Sequence, residues 1–226
     1  MNGGKVLLLV GSPRGMASTS NSLGDHLLQL LEERGMATKK LLVYPALGDE
    51  KKMADLLAAV DACDLLVAAF PLYVDQLPAP LIDLLLGIAE RRQGRSGETR
   101  QGLAAVVNCG FPETVHCRLA GEIVRNFAAQ AGFRFLGSLA AGMGGTIGNR
   151  PLAKAGGVVR HQLKALSQAA TYLAEGAEIP ETVIGLMGKA MMPRWFYNWV
   201  GDWGWKRAAK KNGVSARLRE RPSAGE

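Results

Sequence analysis

The sequence predicts an α/β protein with one parallel sheet, doubly wound so that helices cover both of its faces. Short apolar runs of strand length alternate with stretches of helical period across residues 5–175. The run Leu65–Phe70 is apolar throughout, as a central parallel strand is when both faces are covered. The first run, Lys5–Val10, stops at Gly11-Ser12-Pro13-Arg14-Gly15, and Ser18, Thr19, Ser20 and Ser22 follow at the start of an amphipathic helix. A strand, a loop of phosphate size and a helix N-terminus thus fall together at the beginning of the chain.

Taken in order, the first strand is 5–10, and a helix follows over about 18–34, closed by Gly35 as a C-cap. Lys40–Tyr44 reads as the second strand, ended by Pro45. Residues 50–61 form a helix with Met53, Leu56, Leu57 and Val60 on one face. Leu65–Phe70 is the third strand and 79–89 the third helix, and the polar stretch Arg91–Glu98 reads as an exposed loop. Leu103–Val107 is the fourth strand, 113–131 a helix and Phe133–Ala140 the fifth strand. The run Gly142-Met143-Gly144-Gly145-Thr146-Ile147-Gly148 comes next, then a helix over about 151–175. Five such β-α units suit a three-layer, flavodoxin-like sheet of order 2-1-3-4-5. Ligands of these sheets sit outside the carboxyl ends of the strands, at the switch in strand order. The loops Gly11–Ser20, Pro71–Pro78 and Asn108–Glu113 are therefore expected to converge.

The 226 residues allow one sizeable domain with an appendage, and the expected division is 1–178 for the sheet domain and 179–226 for a C-terminal helical extension. No stretch reaches the ~18 uninterrupted apolar residues of a membrane span. The N-terminal apolar run, ended by a glycine loop, does not read as a signal peptide. Cys63, Cys109 and Cys117 are odd in number and lack CxxC spacing, which predicts a reducing cytoplasm and neither disulfide nor metal site. The net charge of +7 is uneven: residues 186–226 hold nine Lys/Arg against three acids, leaving a nearly neutral body.

The first loop is neither GxGxxG nor GxxxxGK[ST], so dinucleotide binding and nucleotide triphosphate hydrolysis are disfavoured. It reads as an anion site, with hydroxyl donors, helix N–H groups and the Arg14 cation, against a plain turn with a serine N-cap. In the second loop, Pro71 and Pro78 stiffen an apolar segment containing Leu72, Tyr73 and Val74, suited to lie along a flat ring. In the third, Gly110 permits close backbone approach. Cys109 reads as a small strand-end residue or a redox thiol, and Glu113 as a first-turn acid or a site residue.

These motifs resemble the NADPH-dependent FMN reductase family, and within it the branch related to iron–sulfur flavoproteins. The resemblance rests on Gly11-Ser12-Pro13-Arg14, the Ser18-Thr19-Ser20-x-x-Leu23 cluster and Pro71-Leu72-Tyr73, and it spans about residues 4–175. It implies that Ser12, Arg14, Ser18, Thr19 and Ser20 cradle the FMN phosphate. It implies that Pro71, Leu72, Tyr73 and Val74 contact the isoalloxazine ring, and that Asn108, Cys109, Gly110 and Phe111 border it from the other side. The stretch between Arg14 and Ser18 is longer than in many members, Thr19 stands where many have asparagine, and Val74 replaces a frequent aromatic. The cluster-binding cysteines are absent, so no iron–sulfur cluster is expected. The implied activity is hydride transfer from NADPH or NADH to bound FMN, then to a quinone, flavin, azo or nitro compound or metal ion. The flavin performs the chemistry, so no catalytic side chain is expected; His26, His116 and His161 lack triad or metal spacing, and His116 lies nearest the site. Two rival readings are a flavodoxin-like electron carrier without nicotinamide activity and a non-enzymatic membrane- or partner-binding module.

All four tryptophans lie between 195 and 205, and Trp195, Trp199 and Trp203 form one helical stripe that Gly201 and Gly204 are expected to interrupt. Basic residues follow at once. Three readings compete: packing on the domain or across a homodimer, peripheral contact of 195–211 with an anionic membrane at its inner face, and nucleic-acid binding, for which no motif speaks. A homodimer is expected, and residues 213–226 read as frayed.

Overall fold

The structure, a computed structural model, describes residues 3–93 and 100–220. Its strands are β1 (Lys5–Val10), β2 (Ala37–Leu42), β3 (Leu65–Pro71), β4 (Gly102–Asn108) and β5 (Arg134–Ala141). Its helices are α1 (Thr19–Glu32), α2 (Glu50–Ala62), α3 (Ala79–Arg92), α4 (Arg118–Gln130), the single turn α5 (Gly144–Ile147), α6 (Arg160–Ala174), α7 (Glu181–Met187) and α8 (Arg194–Lys211). The strands form one sheet in the order β2-β1-β3-β4-β5, with every pairing parallel. This is the flavodoxin-like arrangement.

Strand alternation divides the apolar side chains between two layers. Leu7, Leu9, Leu66, Ala68, Phe70, Leu103, Ala105 and Val107 meet α2, α3 and α4 in one core. The other face is covered by α1 and α6, which pack on each other and bring α1 against β1 and β3. The interior strand β4 is buried along its whole length, whereas the edge strand β2 is only half-buried and carries Lys39 and Lys40. Charged side chains on an edge strand discourage pairing with another chain.

Several boundaries differ from expectation. β2 starts at Ala37, because the turn at Gly35 (φ +80°) delivers the chain directly to the sheet, where Ala37 N–H donates to Gly4 O. Tyr44, read as a strand residue, instead opens a short 3₁₀ turn with Pro45. The helix expected at 113–131 begins as a 3₁₀ turn, Thr114–Cys117, before α4. The helix expected from 151 starts only at Arg160, since Gly156 (φ +80°) and Gly157 break the preceding segment into two 3₁₀ turns. The polar stretch read as an exposed loop is overturned at its start: Arg91 and Arg92 complete α3, and Arg92 is only 5% exposed. Residues 94–98 of that stretch lie outside the described residues, as does 221–226 of the tail.

The chain divides into two compact units between Met191 and Met192, which leaves α7 with the sheet rather than with the C-terminal extension. α7 packs on α6 and β5, and Ile179 N–H, just before it, donates to Leu136 O on β5 at 2.7 Å. The second unit contains α8 as one continuous helix, so Gly201 and Gly204 do not split it. Two glycines cost about 1 kcal/mol each relative to alanine, which an 18-residue helix with Lys210 and Lys211 in its last turn tolerates. No described helix is long and apolar enough to cross a membrane.

Candidate functional site

The carboxyl ends of β1, β3, β4 and β5 meet at the first turn of α1, and main-chain bonds lock their loops together. Gly11 N–H donates to Ala69 O, Leu72 N–H to Asn108 O and Cys109 N–H to Ala141 O, at 2.8–3.0 Å. The loop after β5 folds back over the group, with Met143 N–H on Phe111 O and Gly144 N–H on Cys109 O, both at 2.8 Å. A Cβ on Gly144 would lie 3.1 Å from Cys109 O, 3.3 Å from Asn108 Nδ2 and 3.6 Å from Thr19 Cγ2. The glycine therefore marks the point where the first, third and fourth of these loops converge. Turn residues alone do not assign this glycine run to the site. Its position immediately after β5 was the available signal.

Ser18 is the N-cap of α1: its hydroxyl donates to Gly15 O at 2.6 Å and accepts from Asn21 N–H at 3.1 Å. Ser22 N–H bonds Ser18 O. The first-turn N–H groups of Thr19 and Ser20 have no protein acceptor among the described residues, which leaves two donors at the positive end of a 14-residue helix. No acidic residue lies in that turn. Ser12 is buried and its oxygen accepts from Arg14 N–H at 3.4 Å, while the Arg14 side chain is exposed.

The neighbouring hydroxyls are committed within the chain. Thr19 donates to Gly144 O and Gly148 O at 3.0 and 3.1 Å, Ser20 to Asn108 Oδ1 at 2.7 Å and Ser22 to Arg150 O. Each bond ties α1 to a segment at least 88 positions away, so these side chains assemble the loops around the helix end. Asn108 is the buried link between the first turn of α1 and the end of β4.

The second loop is stiffened by more than its prolines. Tyr73 and Gln76 exchange two main-chain bonds of 3.0 Å around Val74 (φ +50°) and Asp75 (φ +60°), which is a primed hairpin turn made without glycine. A left-handed conformation strains an ordinary residue, and a β-branched one most of all. Val74 is also 95% exposed, so little packing compensates. Val74→Asn is expected to stabilise the protein by about 1 kcal/mol through relief of this strain, read as a rise in the thermal midpoint. A fall would show that Val74 makes a compensating contact.

Tyr73 and Phe111 present exposed rings on the two loops, at 43% and 52%. Phe111 is propped by His116, with ring centroids 4.3 Å apart, so this histidine positions an aromatic. Burial raises the Tyr44 phenol above its ordinary value, and neighbouring Tyr73 adds to the effect. Gly110, between Cys109 and Phe111, faces open space, with nothing within 4 Å of a Cβ placed there. Cys109 and Cys117 are both buried, and Cys109 Sγ lies 3.6 Å from Phe111 O and 3.8 Å from Glu113 O. The neighbouring thiols act on each other: Cys117 lowers the Cys109 thiol below its usual value, and Cys109 together with burial raises Cys117. No three His, Cys, Asp or Glu side chains are grouped to hold a metal among the described residues.

The arrangement is of the flavodoxin-like class, with two N–H donors at a helix end and exposed aromatic rings on the flanking loops at the sheet's switch point. No protein-family model matches the sequence, and no curated protein matches it. Among solved structures, the chain is similar to an NADH:FMN oxidoreductase in its apo form: 16% identity, TM-score 0.57, covering 84% of this chain and 97% of that one. It is similar to an FMN-dependent NADH-azoreductase from Bacillus anthracis in complex with FMN, at 13% identity and TM-score 0.56, covering 75% and 99%. It is also similar to an NAD(P)H:quinone oxidoreductase from Methanothermobacter marburgensis, at 15% identity and TM-score 0.54, covering 76% and 96%. At these identities the likeness is one of fold.

Proposed function

We propose that the chain is an FMN-dependent NAD(P)H oxidoreductase that reduces a small acceptor and works as a homodimer. The observation that carries this is the pair of acceptor-less N–H groups, Thr19 and Ser20, at the point where four strand-end loops converge. The names of the similar structures, an FMN-dependent NADH-azoreductase, an NADH:FMN oxidoreductase and a quinone oxidoreductase, support the redox activity in this reading.

The donor set fits a flavin mononucleotide. The monophosphate would take the Thr19 and Ser20 N–H groups, the Ser12 hydroxyl and the Arg14 guanidinium. Pro71, Leu72, Tyr73 and Val74 would border the ring on one side, with Asn108, Cys109, Gly110 and Phe111 on the other. When bound, the flavin supplies the redox chemistry, accepting hydride from NADH or NADPH and passing electrons to the acceptor. The chain's part is to bind, orient and exclude water. Ser18, Thr19 and Ser20 hold the loops in register, and Tyr73 and Phe111 shield the ring faces.

One observation favours a second reading, in which the fold persists without flavin: the hydroxyl protons of Thr19, Ser20 and Ser22 already go to acceptors within the chain. Desalting the protein after incubation with FMN separates the two. The enzyme reading expects retained yellow colour near ~450 nm that NADH or NADPH bleaches under anaerobic conditions. A colourless protein overturns it, and a yellow protein that neither nucleotide bleaches is an electron carrier.

A further inference from the structure

We propose that α8 is a docking helix for bilayer surfaces bearing anionic phospholipid headgroups. It carries every tryptophan of the chain, and all four are exposed, at 56–74%. Trp195, Trp199 and Trp203 repeat at four-residue spacing, and Lys206, Arg207 and Lys210 continue the same face through the last two turns. The stripe is therefore aromatic in its first half and cationic in its second. Side chains of the helix already touch: the Phe196 ring beside the stripe stacks on Trp199 at 6.0 Å, and the Arg207 guanidinium lies 5.5 Å from the Trp203 ring centroid.

Composition separates a lipid interface from a protein core. α8 contains four Trp, a Phe and a Tyr but no Leu, Ile or Met, and Val200 is its one branched aliphatic residue. Trp and Tyr accumulate at headgroup level, where a ring is half in hydrocarbon and half in water, and basic residues beside them reach the lipid phosphates. Five basic residues against the single acid Asp202 give the helix a charge of +4. An anionic surface lowers the energy of that charge, and a second copy of the same helix raises it. At ~1.5 Å per residue the helix is about 27 Å long, and it is too polar to cross a membrane, so it lies in the interface plane.

Because every tryptophan is in α8, intrinsic tryptophan emission of the full-length protein reports on this helix alone. With vesicles of equal parts phosphatidylcholine and phosphatidylserine, the emission is expected to shift to the blue and the protein to float with the lipid. Phosphatidylcholine alone should produce neither effect. Lys210→Gln with Lys211→Gln should lower the partition coefficient roughly 30-fold, and Trp199→Ala with Trp203→Ala should abolish flotation. These side chains are exposed, so the sheet unit should keep its thermal midpoint. Absence of the shift, or an equal shift with phosphatidylcholine, overturns the proposal. So does a response to a single-stranded oligonucleotide but not to vesicles, which would assign the face to nucleic acid. A dimeric mass in solution that the double tryptophan variant loses would assign it to a second copy and overturn the proposal too.

Discussion

Gly142→Ala is expected to cost about 3 kcal/mol and to lower the thermal midpoint by roughly 6–12 °C. A Cβ at this position would lie 2.6 Å from Pro112 O and 2.7 Å from Phe111 O. Both neighbours are main-chain atoms, so no rotamer change relieves the clash. The loop after β4 must move, and it is held by the bond from Met143 N–H to Phe111 O. Because Phe111 flanks the proposed ring site, FMN affinity should fall together with stability. Differential scanning calorimetry checks the first effect and FMN titration the second. A wild-type midpoint would show that the loop after β4 yields freely, and the interlocked loops would then not define a rigid site.

Arg92→Ala is expected to cost about 3–5 kcal/mol, the scale of breaking a buried ionic network. Arg92 Nε donates to Ala131 O and its Nη2 to Gln101 Oε1, each at 2.7 Å. The guanidinium lies 4.0 Å from the Phe133 ring centroid and within 4.0 Å of Asp61. Gln101 carries the network onward, donating to Cys63 O at 2.6 Å and Val60 O at 3.0 Å at the end of α2. Truncation leaves buried acceptors unpaired and opens a cavity against Phe133. Arg92→Lys keeps the charge but loses the planar fork, so it should recover only part of the stability. Urea unfolding monitored by circular dichroism measures both variants. A loss below about 1 kcal/mol for the alanine variant would mean that water replaces the network.

Arg92 also illustrates where sequence reading ends. It stands in Arg91-Arg92-Gln93-Gly94-Arg95, and local polarity says solvent. What buries it is the end of α2, the turn at Ala131 and Phe133 arriving together, a tertiary fact that no local pattern encodes. The sheet was legible because its interior strands β1, β3 and β4 are apolar on both faces and all five are separated by helical periods; the order 2-1-3-4-5 followed. Helix ends were legible at Gly35 and less so near Gly156, where two glycines outweighed an otherwise helical pattern. At the site, the converging loops were readable from their turn residues. The hydroxyl directions were not. Thr19 and Ser22 reach acceptors in the segment 144–150, which only the folded chain brings to α1. The loop at Val74 lacks the glycine that normally announces a primed turn, so it read as a proline-stiffened segment instead.

The central claim is that the first turn of α1 holds the phosphate of a flavin mononucleotide. Parallel calorimetric titration of the protein with FMN and with riboflavin, which lacks the phosphate, tests it most directly. Two charge-assisted N–H bonds from Thr19 and Ser20 predict that FMN binds at least ~100-fold more tightly than riboflavin. Equal affinities, or no binding of either, would contradict the account.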